Sequence, residues 1–299
     1  MFKKVKIYYE REYKKLLIIP FIILILALGQ IGWQASQPGQ DFVNKGISLK
    51  GGSTVSFDYN PSYNLNSLEQ ILHQEFPKND ISFRFLGVAG SIETIAIDSD
   101  IQEKSQIDPF KKTIASELEV PENTLSVETM GSSLGDSFFK QTLTALIIAF
   151  LLMGIVVFFY FRSVAPSLAV ILAAASDIIV TLAVFNLTGI KLSTAGIAAF
   201  LMLIGYSVDT DILLSTRVLK RVGDGSVMER IYGAMKTGFT MSATTLAAVL
   251  VAMIFAESEV IKQIMIILFI GLLVDLVMTW IQNTGILRIY LERKEKKAQ

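Results

Sequence analysis

The chain has 299 residues, of which 52% are hydrophobic, and its formal net charge at pH 7 is zero. A mean hydropathy of +0.52 and long uncharged runs indicate a membrane protein and exclude an ordinary soluble domain. Zero net charge, without a basic stripe or zinc-type spacing, argues against a nucleic-acid partner. Cysteine is absent, which excludes disulfides and thiolate metal sites.

The first predicted membrane span runs from 16 to 33 and follows a basic, aromatic start. A charged start before an apolar run is also typical of a signal peptide. We expect an uncleaved anchor instead, because the run is long enough to span a membrane and ends at Trp33 rather than at a small-residue cleavage site. Residues 1–35 are therefore predicted to be the N-terminus and the first membrane helix.

The segment from 36 to 135 is predicted to be a separate α+β domain. Its pattern indicates strands at 47–59, 81–88, 91–98 and 125–131, and helices at 65–76 and 108–118, the second with Asp108 as N-cap and Pro109 at its first position. The order βαββαβ predicts a ferredoxin-like domain, in which two helices cover one face of a four-stranded antiparallel sheet. The other face of the sheet must bind a partner or be exposed to solvent.

Five further spans are predicted in the remainder of the chain, residues 136–299. They cover about 138–161, 165–187, 192–215, 238–256 and 262–285, and a short amphipathic surface helix is predicted at 222–236. The predicted fold class is a polytopic α-helical membrane protein with six transmembrane helices and an external α+β domain between the first and second.

Loop charges predict the orientation of these spans. Six spans place both termini on one side, and the N-terminal segment, the loop after span four and the C-terminal tail are rich in Lys and Arg. The two short loops on the other side hold only Lys191 and Lys262. Both termini are therefore predicted to be cytoplasmic, in a chain that crosses the cytoplasmic membrane.

Four aspartates lie in apolar stretches: Asp177 in span three, Asp209 and Asp211 in span four, and Asp275 in span six. An Asp near a helix centre costs about 2.5 to 3.5 kcal/mol on an insertion scale, so these acids are candidates for a functional site. Because the spans hold no basic residue near their middles, we expect some acids to be neutral or to meet a cation from another subunit. The alternative for span four is that the helix ends near Val208 and leaves its acids in water.

Three stretches, GISLKGGSTVSF at 46–57, GYSVDTDILLSTRVLKR at 205–221 and SATTLAAVL at 242–250, resemble the SecD/SecF family of protein-export membrane proteins. GISLKGGSTVSF, with Gly51 and Gly52, resembles the glycine-pair motif that opens the family's external domain. GYSVDTDILLSTRVLKR resembles the fourth-span signature of SecF through Gly205, Tyr206, Ser207 and Arg217, and SATTLAAVL at 242–250 is similar to the family's fifth-span helix.

The sequence departs from the bacterial members of this family at three places. Ser48 and Leu49 stand where those members have Asp-Phe, Asp209 and Thr210 stand where bacterial SecF has Asn-Asp, and Thr237 stands where many have an arginine. Asp209 is placed as in SecD, and the cation nearest to Thr237 is Lys236. This mixture resembles the archaeal branch.

The resemblance implies a subunit that forms a complex with SecD, docks on the SecYEG channel and assists the export of polypeptide chains with the help of a proton gradient. It implies no covalent chemistry and no cofactor. The residues agree, since the sequence has no phosphate-cradling loop, nucleophile elbow or pairs of metal ligands. Two alternatives stay open: a scaffold for SecD that moves no protons, and a small-molecule exporter of the wider RND superfamily.

The candidate proton-coupling residues are Asp209, Asp211, Asp177, Asp275 and Lys236. Asp209 and Asp211 lie about 200° apart on an ideal helix, so they cannot both face one seam. We favour Asp209, which occupies the position of the SecD aspartate. The alternative for Asp177 and Asp275 is a structural role, in which each acid hydrogen-bonds a neighbouring helix. The alternative for Lys236 is that its side chain snorkels to the membrane surface.

Two further motifs have structural interpretations. The glycine pair is interpreted as a strand bend or a close backbone approach. Thr240, Thr244 and Thr245 either hydrogen-bond a carboxyl group across helices or bond the backbone of their own helix, and the second interpretation is favoured.

Overall fold

The computed structural model describes residues 8–37, 41–86, 93–220, 223, 225–256 and 258–298. Six helices in this part of the chain are long and apolar enough to cross a membrane, which confirms the predicted number. Spans 1 to 6 are Tyr13–Ala35, Ser132–Phe161, Val164–Leu187, Thr194–Lys220, Val227–Phe255 and Val260–Lys296. Helices α1 (Tyr13–Leu16) and α2 (Ile18–Ala35) form span 1, and α6 to α9 have the bounds of spans 2 to 5. Span 6 consists of α10 (Glu259–Val277), a π-helical turn (Met278–Asn283) and α11 (Thr284–Ala298).

Four strands and two helices form an α+β unit between spans 1 and 2. Its elements are β1 (Gly52–Asp58), α4 (Leu65–Glu75), β2 (Ile81–Leu86), β3 (Thr94–Ser99), α5 (Lys104–Glu117) and β4 (Ser126–Met130). The strands lie in the order β2-β3-β1-β4, and all neighbours are antiparallel. Val55 lies opposite Ile97 and Val127, and the two helices pack on this apolar face of the sheet.

Two predicted boundaries in this unit are wrong. The strand predicted from 47 starts at Gly52, because α3 (Ile47–Lys50) is a short helix that packs on α6 instead of joining the sheet. The second helix starts at Lys104 and contains Pro109, so Asp108 is not its N-cap. The earlier start adds Ile107, which is buried with Phe110 in the core. The turn predicted at Ala89 and Gly90 lies outside the described residues.

The amphipathic helix predicted at 222–236 is not separate from span 5. One helix runs from Val227 to Phe255, and its N-terminus has a capping box in which Ser226 and Glu229 bond each other's backbone N–H groups. The cap therefore starts the helix about three turns before the apolar segment that predicted the span.

Several contacts hold the chain before β1 and the α+β unit on the bundle. Gly46 N donates to Leu192 O at 2.8 Å, and Leu192 N donates to Asn44 O at 2.6 Å, so the loop between spans 3 and 4 pairs with this segment. Lys191 Nζ bonds Asp80 Oδ1 at 2.9 Å. The segment before β1 is thus packed on the membrane bundle, and the sheet is attached to the bundle next to it.

The two ends of the described chain lie at the opposite end of the bundle. Lys14 Nζ is 2.9 Å from Glu292 Oε2, and the Tyr13 hydroxyl also bonds Glu292. Arg288 donates to the carbonyl groups of Tyr9 and Glu10 at 3.1 and 2.7 Å. The N-terminal segment is therefore packed against the end of span 6.

Candidate functional site: a cluster of three buried aspartates

Three of the four predicted acids meet inside the bundle. Asp177, Asp211 and Asp275 come from spans 3, 4 and 6, and each is 0% exposed. Next to Asp177 on span 3 lie Ala173 and Ala174, both fully buried, and such small residues let neighbouring helices approach closely.

Asp177 is bonded to span 4. The Ser207 hydroxyl donates to Asp177 Oδ2. Ser207 lies one helical turn before Asp211, so both face the same seam between the spans. The contact is the hydrogen bond to a neighbouring helix that the structural interpretation of Asp177 predicted, and it also connects Asp177 to the other acids.

Thr279 of the π-helical turn connects Asp211 and Asp275, and Asn283 of the same turn contacts Asp211. Thr279 Oγ1 lies 2.8 Å from Asp275 Oδ1 and 3.0 Å from Asp211 Oδ1. Asn283 Nδ2 donates to Asp211 Oδ1 at 2.7 Å. Thr210 Oγ1 lies 3.1 Å from both carboxylate oxygens of Asp275.

The contacts of Thr279 exceed what one hydroxyl proton can supply. A threonine hydroxyl has one hydrogen to donate, yet its oxygen lies within hydrogen-bond distance of Asp211 and of Asp275. If both acids were ionised, one of the two contacts would join two acceptors without a hydrogen. A proton on one of the carboxyl groups removes this conflict, because that group then donates to Thr279.

The cluster also holds more acceptors than donors. Among the described residues, the buried oxygens without a hydrogen-bond partner include two of the acids' own, Asp177 Oδ1 and Asp211 Oδ2, and two on the π-helical turn, Gln282 Oε1 and Asn283 Oδ1. Buried polar atoms are rarely left unpaired, so these positions call for protons or for bound water.

No cation reaches the cluster within the part of the chain that the structure describes. The acids contact only hydroxyl and amide groups. Lys236 is exposed on span 5. Arg217 donates to Thr237 Oγ1 at 2.9 Å, so this motif arginine lies beside the position that bacterial members fill with arginine. An isolated buried carboxylate costs several kcal/mol, so three without a cation are unfavourable when all are ionised.

The structure separates Asp209 from the other acids. Asp209 is exposed on the outer surface of span 4, with Tyr206 on the same stripe, whereas Asp211 is fully buried. The two acids therefore face different sides of span 4, as expected, but it is Asp211 that joins Asp177 and Asp275. Asp209 was preferred because of its position in the motif. In the structure, however, span 4 packs against spans 3 and 6 with Asp211 on the buried side.

The remaining motif residues have structural contacts. Gly51 has φ +81°, and a Cβ added there would lie 2.6 Å from Ser132 Cα, so the glycine pair permits a close backbone approach. Thr240, Thr244 and Thr245 bond carbonyl groups of their own helix. Gly205 is exposed, and an added Cβ would meet nothing within 4 Å.

Sequence reasoning missed Thr279 and Asn283. Asp275, Thr279 and Asn283 follow one another at four-residue spacing, which places polar side chains on one face of an otherwise apolar helix. That spacing was the available signal.

Comparison with known proteins finds relatives that match nearly the whole chain. The family model described as "Protein export membrane protein SecD/SecF, C-terminal" matches residues 110–293. The chain belongs to the SecD/SecF family. The Protein-export membrane protein SecF of Pyrococcus furiosus is 37% identical over 298 residues, which cover 99% of this chain and 97% of the relative. The SecF of Methanothermobacter thermautotrophicus is 38% identical and covers 94% of each chain. The SecF resemblance, of archaeal type, is thereby confirmed.

Solved SecDF structures share the fold of this family member. The crystal structure of SecDF from Thermus thermophilus superposes with a TM-score of 0.75 at 20% identity, over 94% of this chain and 38% of that chain. SecDF in its super-membrane-facing form gives a TM-score of 0.63 over 96% of this chain and 39% of the other. This chain thus spans less than half the length of those crystallised chains.

Proposed function

We propose that this protein-export membrane subunit works with SecD at the SecYEG channel and couples the proton gradient to the export of polypeptide chains. Protonation and deprotonation of the Asp177–Asp211–Asp275 cluster is the coupling step. No bond of the exported chain is made or broken, so the subunit is not an enzyme.

The observation that carries this proposal is the position of Thr279 between Asp211 and Asp275. A proton on one carboxyl group gives both contacts a hydrogen of their own, and the unpaired oxygens around them can accept others. The cluster joins three spans. A change in its protonation therefore alters the attraction between these helices, whereas a change at a single surface residue would not. Spans 3, 4 and 6 are therefore the elements that move against one another when a proton enters or leaves.

A partner surface is proposed around Asp209. An exposed carboxyl group on a membrane span is costly when it faces lipid, so this side of span 4 is expected to be covered by another protein. The crystallised SecDF chains, of which this chain spans 38% and 39%, support SecD as that protein. A donor or cation on SecD would meet Asp209.

The proposed orientation follows loop charge. Both termini are placed in the cytoplasm, and residues 36–135 form the external domain. The order of its elements and strands supports the ferredoxin-like assignment. Protease added outside sealed spheroplasts should cut this domain and leave the tail beyond Arg288 intact. The reverse pattern would contradict the orientation.

The proposed coupling is tested by substitution of the buried acids. Asp211→Asn and Asp275→Asn keep the size and hydrogen bonding of the side chain but remove the exchangeable carboxyl proton. Export of a secreted reporter is measured in membrane vesicles with and without an imposed pH gradient. We expect both variants to assemble with SecD and to lose the response to the gradient.

Asp209→Asn is the matched control, because Asp209 lies on the same span but outside the cluster. An assembled Asp209→Asn complex should still respond to the gradient. Full response of the Asp211→Asn and Asp275→Asn complexes would overturn the coupling and favour the scaffold for SecD. Normal export without the subunit, together with loss of small-molecule efflux, would favour an RND-type exporter.

A further inference from the structure

The π-helical turn of span 6 is held by a hydrogen bond from a residue outside its own helix. Within the turn, Thr279 and Asn283 contact the acid cluster, and the backbone carbonyl group of Trp280 accepts a hydrogen bond from the Tyr9 hydroxyl at 2.6 Å. π-Helical turns leave the regular hydrogen-bond ladder and are frequent at functional sites. Here a residue that precedes span 1 satisfies one of the carbonyl groups in the turn.

The N-terminal segment is itself held in place. Arg288 donates to the carbonyl oxygens of Tyr9 and Glu10, and its guanidinium lies 3.8 Å from the centre of the Tyr13 ring. Tyr232 of span 5 donates to Glu10 Oε1 at 3.0 Å. The segment therefore contacts spans 5 and 6 through directional hydrogen bonds, unlike a charged tail that extends into solvent.

The Trp280 side chain fills the space beside the turn. It is 2% exposed and stacks on Phe239, with ring centres 5.6 Å apart. A Cβ added at Gly238 would lie 2.2 Å from Trp280 Cζ2, so the indole packs directly on the backbone of span 5. Thr279 and Trp280 are adjacent, and the turn thus places a hydroxyl in the cluster and a large ring against span 5.

We infer that Tyr9 is a positioning residue that holds the π-helical turn of span 6 in place and so controls proton exchange between the acid cluster and the side that holds the chain termini. This inference rests on the proposed function of the cluster. The Tyr9 hydrogen bond fixes the backbone from which Thr279 and Trp280 project. Its loss removes a hydrogen bond from the turn and allows the turn to relax, which opens a path for water to Asp211.

The titratable groups around these positions are few. Asp177, Asp211 and Asp275 face one another in the cluster, and no other charged residue among those described contacts them. Glu10, Arg288 and Tyr232 are the titratable groups that face Tyr9. The π-helical turn therefore connects the contacts of Tyr9 with those of Asp211 and Asp275.

Carbodiimides test the inference, because they modify protonated carboxyl groups that they can reach. The intact complex is treated from the side of the termini with a water-soluble carbodiimide, and in parallel with a lipid-soluble one. Modification of Asp211 and Asp275 is measured by mass spectrometry over a range of pH. We expect the water-soluble reagent to modify Tyr9→Phe about tenfold faster than wild type, the factor that corresponds to one ordinary hydrogen bond. The lipid-soluble reagent should modify both proteins equally.

Tyr8→Phe is the matched control, because the neighbouring Tyr8 is 50% exposed. It should behave as wild type with both reagents. Equal modification of wild type and Tyr9→Phe by the water-soluble reagent would overturn the inference, and so would an increase with both reagents, since that indicates general loosening. If Tyr9→Phe gives little folded protein, Arg288→Lys, which weakens the hold on the Tyr9 carbonyl group, is measured in the same way. This readout needs no export, so it is separate from the test with Asp211→Asn.

Discussion

Lys191 Nζ lies 2.9 Å from Asp80 Oδ1, and this ion pair joins the loop between spans 3 and 4 to the start of strand β2. Lys50 Nζ lies 2.6 Å from the other carboxylate oxygen of Asp80. Partial burial raises the pKa of Asp80, but the hydrogen bonds from Lys50 and Lys191 outweigh it and hold the pKa below 3.8. One carboxylate therefore attaches the α+β unit to the bundle at two points.

Asp80→Asn should weaken this attachment in a pH-dependent way. A group whose pKa is lower in the folded state stabilises that state above its unfolded pKa, and the contribution is lost as pH falls through the folded value. Because Asp80 is half exposed, the loss should be about 1 kcal/mol or less at pH 7. Thermal unfolding of both proteins should show this difference at pH 7 and not well below pH 3.8.

The control for Asp80 is Asp58→Asn, since Asp58 is exposed at the end of β1. It should leave the transition unchanged at both pH values. An Asp80→Asn difference that persisted in acid would show that the effect comes from packing rather than from charge.

Gly51→Ala and Gly135→Ala should both destabilise the junction between the sheet and span 2. A Cβ at Gly135 would lie 2.7 Å from Gly51 N, and Gly51 also has a positive φ. Backbone atoms cannot move away cheaply, so each change should cost about 1 to 3 kcal/mol. Gly32→Ala, inside the helix of span 1 and with nothing within 4 Å of the added Cβ, is the control and should not be destabilised in the same melting assay.

Gly238→Ala should disturb the packing of Trp280. The added Cβ would lie 2.2 Å from the indole ring, so the ring has to shift and a loss of about 1 to 3 kcal/mol is expected. In Gly205→Ala the added Cβ meets nothing, and alanine is the better helix former by about 1 kcal/mol, so this variant should be neutral or stabilised. Trp280→Phe combined with Gly238→Ala should recover part of the loss. Equal melting temperatures for the two alanine variants would contradict the packing argument.

Residues 52–131 should fold as an isolated fragment. The core between the sheet and its two helices is contributed by this segment alone, and it includes Leu68, Leu72, Phe110 and Ile114. Circular dichroism should show one cooperative thermal transition. Leu68→Ala, at a fully buried position, should lower stability by about 2 to 5 kcal/mol, whereas the exposed Glu69→Ala should not. A fragment without a transition would show that the sheet needs the bundle.

Much of the architecture was readable from the sequence because hydropathy and periodicity are local properties. Six apolar runs predicted six spans, and alternating residues such as Val55 and Phe57 indicated a strand with one buried face. Predicted element boundaries were wrong where tertiary contacts outweighed the local sequence pattern. Ile47–Lys50 has an alternating pattern, yet it forms a helix that packs on span 2.

The sequence also determined that four aspartates lie in apolar segments and that Asp209 and Asp211 must face different sides of span 4. It did not show which of the two sides is buried, because both acids lie two residues apart in the same apolar helix. Only the packing of spans 3, 4 and 6 decided that Asp211 meets Asp177 and Asp275. The same packing brought Thr279 between two carboxyl groups, and Tyr9 to a π-helical turn 271 residues away in the chain. Such contacts depend on how helices distant in sequence are arranged, and no local pattern encodes that arrangement.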